Sequence, residues 1–111
     1  MNPTSPTATI LAEVATWPGI TTKPTPRGAT AILFESHELV HVHSNRSTLD
    51  LPLPADRRAQ VLEAGRAKKW FSNWVSKQLA SRADAKDGIA LLRESYDALR
   101  APLASAASST S

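Results

Sequence analysis

The stretch "GATAILFESHELVHVHS", residues 28 to 44, constrains the fold more than any other part of the chain. Two segments rich in Thr, Ile and Val flank a short polar break, residues Glu35 to Glu38, which reads as a tight turn joining two antiparallel strands. Successive side chains of a strand point to opposite faces, so Val40 and Val42 share one face while His41 and His43 share the other. The chain is thereby committed to a sheet with one face that must be covered and one that can meet water or a ligand.

The remaining elements follow from periodicity and punctuation. Ile10, Leu11, Val14 and Trp17 recur at helical spacing, with Ser5-Pro6 as cap and first-turn proline and Pro18-Gly19 as the stop. "GITTK" reads as a first strand, and "TKPTPRG" is a proline-stiffened connection to the second. "STLDLPL" alternates Leu49, Leu51 and Leu53, and Pro52 places it at an edge or terminus because proline cannot donate to a ladder. "PADRRAQVLEAG" reads as a second helix with Pro54 in its first turn, Asp56 at its positive end, Val61 and Leu62 inward and Gly65 as stop. "NWVSKQL" is a fifth strand. The last helix is expected to start near Asp84, whose carboxylate can cap free amides, to carry the apolar stripe Ile89, Leu92, Tyr96 and Leu99, and to end at Pro102.

The order α-β-β-β-β-α-β-α argues an α+β fold, an antiparallel sheet of about five strands with helices mainly on one face. With 111 residues, one domain is expected over 7–103, between low-complexity tails at 1–6 and 104–111. Trp17 is expected to pack the first helix on the sheet, and the Tyr96 hydroxyl to find a polar partner.

Composition removes several functions. The absence of cysteine excludes disulfides, thiolate metal sites and cysteine nucleophiles. No apolar run reaches the roughly 20 residues of a membrane span, and "MNPTSPTAT" lacks a signal-peptide pattern, so a cytoplasmic protein without a membrane partner is expected. The net charge of +3 is compatible with an acidic partner without demanding one.

Two constellations could carry function. His37, His41 and His43, all the histidines of the chain, with Asp50 and Trp74, form a candidate ligand or partner surface. Two histidines two apart on a strand can bind a transition metal only with further ligands that the sequence does not advertise, so neither metal nor cofactor is expected. Imidazole titrates near neutrality, but no nucleophile elbow, phosphate loop or carboxylate pair accompanies it, and no catalytic residue is assigned. The second constellation is basic: Arg57, Arg58, Arg66, Lys68, Lys69 and Lys77, with Trp70, Phe71 and Trp74 interleaved. Cations with exposed aromatics suit nucleic acid, while the same residues also suit a solvated helix face and a covered sheet edge.

"ATWPGIT", "ELVHVHS", "LDLPLP", "NWVS" and "ALLRESYDAL", in this order between Thr16 and Arg100, resemble the luciferase-domain family, small proteins largely without assigned activity. The chain departs from that pattern in "AKKWFSNW", where lysines and Asn73 precede the strand tryptophan. The "PG" after the first helix and "SY" in the last are also similar to the MmcQ/YjbR family, which implies a YjbR-like architecture and a double-winged DNA-binding shape. The expected function is a small binding or interaction module using the His41 and His43 face, its partner a small ligand or a protein. A DNA-binding domain using Arg57 to Lys77 is the alternative. A small enzyme or metal-binding protein using the histidines is third, and the oligomeric state stays open.

Overall fold

The computed structural model describes residues 5–26 and 28–109, the segment 101–109 by its backbone alone. The elements are α1 (Pro6–Val14), β1 (Ile20–Pro24), β2 (Ala29–Phe34), β3 (His37–His43), β4 (Thr48–Pro52), α2 (Ala55–Glu63), β5 (Lys68–Lys69), β6 (Trp74–Gln78) and α3 (Arg82–Ser109). All six strands form one antiparallel sheet in the order β1-β2-β3-β4-β6-β5. The sixth strand is the two-residue β5, a pair too short to show in a hydrophobic pattern.

One face carries the core. Val40, Val42, Leu49, Leu51 and Val75 of the sheet are buried together with Ile10 and Val14 of α1, Val61 of α2, and Leu91, Leu92 and Tyr96 of α3. Trp17 is buried as expected, its ring 5.0 Å from that of Tyr96. The Tyr96 hydroxyl donates to the Pro18 carbonyl at 2.5 Å, tying α3 to the turn that ends α1. Gly19 (φ +81°) in that turn is hemmed in: a Cβ there would stand 2.7 Å from the Phe34 ring.

Four local features differ from the sequence reading. Pro52 does not mark an edge, because β4 lies between β3 and β6. It is tolerated as the strand's last residue: Leu53 N–H bonds Asn73 on the β6 side, so by alternation the proton Pro52 lacks would face β3, where pairing has stopped at Asp50. The β2–β3 turn is tighter than Glu35 to Glu38, since β3 already starts at His37, with Glu35 at φ 56°. The cap of α3 is Ser81, whose hydroxyl accepts from Asp84 N–H at 3.2 Å; the Asp84 carboxylate reaches back to Ala80 N–H at 2.8 Å. And α3 runs on past Pro102 to Ser109, through residues read as tail. Of the other tail, residues 1–4 lie outside the described residues, while Ser5 caps α1 by accepting from Ala8 N–H at 3.2 Å.

Candidate functional site

The face of the sheet opposite the helices carries the row Ala31, His41, Asp50, Ser76 and Lys68, each residue opposite the next on the neighbouring strand. The alternation that buries Val40 and Val42 puts His41 and His43 here, as their spacing requires. It breaks on the turn side, where a register shift between Ile32 and Leu33 sets Val40 and Glu38 opposite consecutive residues and buries Leu39 beside Val40. His37 lies beyond this irregularity, exposed at the strand start and apart from the other two histidines.

His41 and His43 stand with ring centroids 6.3 Å apart, but in unlike surroundings. His41 is half-buried, bonded to the Glu38 carboxylate and 5.3 Å from the Trp74 ring. His43 is 7% exposed; its Nε2 is 3.1 Å from Oδ2 of the buried Asp50. The other carboxylate oxygen, Oδ1, accepts from the Ser76 hydroxyl at 2.6 Å. The Arg46 guanidinium lies against the same ring, with Nη2 3.1 Å from Nδ1 and 3.3 Å from Nε2. Burial holds the His43 pKa below its ordinary 6.5; the Asp50 carboxylate opposes this, and Arg46 and His41 reinforce it. Held below 6.5, the ring is mostly neutral near pH 7, and the nearness of Oδ2 favours the tautomer with its proton on Nε2. Ser76 points its hydroxyl at the carboxylate and not at the imidazole, so Ser76 and His43 do not form a serine–histidine nucleophile.

Around this pair the chain forms a cleft of about 400 Å³, lined by Thr25, Pro26, Ala29, His41, His43, Arg46, Asp50, Trp70, Phe71 and Trp74. The loop between β5 and β6 builds its wall. Phe71 stacks on Trp74 at 5.8 Å and 11°, Trp70 meets Phe71 edge-on at 6.1 Å, and Arg46 lies 5.8 Å from the Trp70 ring centre. Trp70 and Phe71 remain 41% and 61% exposed, unusual for rings this large. Of the residues singled out from sequence, the fold thus joins His41, His43, Asp50 and Trp74 with Trp70 and Phe71 of the other constellation. Arg46, in the turn after β3, was not singled out; a lone cation in a polar turn gives no pattern to find. A larger groove of about 680 Å³ lies between α1 and α3, lined by Thr9, Ala12, Glu13, Arg82, Lys86 and Ile89. It contains no buried polar group, and the cleft is the better candidate on chemistry.

Several of the basic residues are already paired, and Arg66, Lys68 and Lys77 line one small pocket. Arg57 forms a bidentate pair with Glu94 at 2.8 Å, and Arg58 donates to the Leu53 carbonyl. Arg66 and Lys77 share Asp87, at 2.7 and 2.9 Å, and Lys77 is only 4% exposed. These partners hold the Asp87 carboxyl below its ordinary range, the Arg66 hydrogen bond most of all. Lys68 and Lys69 are exposed. Among the described residues no three or more His, Asp or Glu side chains group so as to hold a metal ion, and no helix is long and apolar enough to cross a membrane.

An open antiparallel sheet with helices on one face and a polar, aromatic-walled cleft on the other defines a small two-layer α+β domain. The family model of the Luciferase domain matches residues 36–95, more than half of the chain, and the chain belongs to that family. The matched span runs from the β2–β3 turn into α3 and includes His41, His43, Arg46, Asp50, Trp70, Phe71 and Trp74. Comparison with curated proteins and with solved structures gave no match.

Proposed function

We propose that the domain is a small-molecule binding module whose working surface is the cleft shared by His41 and His43. The observation that carries this reading is the buried His43–Asp50 pair opening onto a cleft of about 400 Å³, a volume within the ordinary range for small-ligand sites. Burying an ionisable pair is unfavourable compared with packing apolar groups, so its presence at the base of a cleft fits a role in recognition. The exposed rings of Trp70 and Phe71 add the apolar contact area that such a site needs.

The test is an amide-resolved NMR screen of the chain against a set of flat and aliphatic fragments. Shifts confined to residues around His41, Arg46 and Trp70 to Trp74 are expected. Shifts confined to Thr9, Glu13, Lys86 and Ile89 would move the function to the helical groove and end this reading.

A second reading, a DNA-binding domain using the basic segment, is favoured by one observation: Lys68 and Lys69 are exposed directly before Trp70 and Phe71. Against it, Arg57, Arg66 and Lys77 are already engaged by Glu94 and Asp87. It requires affinity for a short duplex that falls steeply with salt.

A further inference from the structure

We infer that the ligand of the cleft is a flat aromatic carboxylate, its ring against the Trp70 to Trp74 wall and its anionic end on Arg46. This deepens the binding reading above and rests on it.

The charges of the cleft select the sign of the ligand. Asp50 is the only acid among its described lining residues, and both carboxylate oxygens are already occupied, Oδ2 facing His43 and Oδ1 accepting from Ser76. Glu38, beside the cleft, is held by His41. Both imidazoles that line the cleft are therefore bonded to carboxylates. Arg46 is different: among the described residues no carboxylate pairs with it, and its side-chain contacts are the His43 ring and the face of Trp70. A guanidinium is charged at every accessible pH and presents a fork of donors that matches a carboxylate. The charge left for a ligand to answer is positive.

The walls select its shape. Trp70, Phe71 and Trp74 form a run of rings in which each touches the next, and His41 extends the run along the sheet. Such rings stack best on another flat ring. Because the guanidinium lies 5.8 Å from the centre of Trp70, a ring placed beside that indole brings its own substituent within reach of Arg46. Ala29, buried and small, lines the cleft without filling it.

The experiment compares three probes of one shape and different charge on the full chain: 2-naphthoate, 2-naphthamide and 2-naphthylmethylammonium, followed by amide NMR shifts. Charge-assisted hydrogen bonds predict that naphthoate binds about 10- to 100-fold more tightly than naphthamide, with the ammonium weakest. In Arg46→Gln, naphthoate should lose its advantage and bind no more tightly than naphthamide binds the same variant; Arg46→Lys should restore part of the loss. Equal binding of all three probes in the cleft overturns the anion assignment while the binding reading survives. Absence of cleft shifts with every probe overturns both. Naphthoate shifts gathered on Arg82 and Lys86 of the helical groove also overturn the inference.

Discussion

His43 meets Asp50 at 3.1 Å on the uncovered face of the sheet, and both side chains are buried. Because burial lowers the His43 pKa in the folded state, the unfolded chain takes up a proton near pH 6.5 that the folded one refuses. Stability from this group is complete above 6.5 and is lost as pH falls from there to the lowered value. Urea midpoints measured between pH 8 and pH 4.5 should fall through that window in the native chain, and His43→Gln should flatten the fall. An unchanged slope in the variant counts against it. Asp87, also held low, adds stability that is complete above its ordinary 3.8 and is lost only in the more acidic range below it.

The Asp87 network predicts an asymmetry. Asp87→Ala removes the carboxylate from the buried Lys77 ammonium and leaves it only the Arg66 carbonyl at 2.9 Å, a loss of about 1–3 kcal/mol. Lys77→Met removes the buried charge itself and should cost within about 1 kcal/mol. Chemical denaturation of the two variants side by side decides it; equal losses would show that the charge, and not its desertion, matters.

Gly19 and Gly65 both have positive φ, yet only Gly19 is crowded. Gly65→Ala should cost about 1 kcal/mol, the price of a left-handed backbone for a non-glycine residue. Gly19→Ala adds a clash with the buried Phe34 ring and should cost at least about 2 kcal/mol. Thermal melts that rank them in the opposite order would contradict the packing described for the α1–β1 turn.

Thr48 keeps a buried hydroxyl oxygen without a protein partner. Thr48→Val, with a side chain of the same shape, should stabilise the chain by about 1 kcal/mol, read as a raised urea midpoint. A lower midpoint would mean that the hydroxyl is bonded in solution, for instance by an ordered water.

Much of this architecture is legible in local pattern. Val40 and Val42 face the helices because period-two geometry permits nothing else, and the stripe of α3 buries Leu92 and Tyr96 where helical spacing puts them. The stripe is shifted as well as widened: Leu91 and Ala85 are buried too, while Ile89 and Leu99 are only partly buried against the core. The position of β4 was not legible: Pro52 argues for an edge unless the ladder beside it has ended, which depends on the length of β3 pairing. The same holds for the site. The pairing of His41 with Asp50 across β3 and β4 follows from two strands of known register, but a sequence does not print the register. Arg46 and the fold of Trp70 over the sheet face depend on loop geometry, which has no period to read.

The claim that the cleft is the ligand site is tested most directly by 5-fluorotryptophan labelling and fluorine NMR. The chain has three tryptophans: Trp70 and Trp74 line the cleft, while Trp17 lies in the core beside Tyr96. On titration with 2-naphthoate, the signals of Trp70 and Trp74 should move together with one saturation curve while that of Trp17 stays in place. Movement of Trp17 alone, or no movement of any signal in a folded chain, would contradict the account.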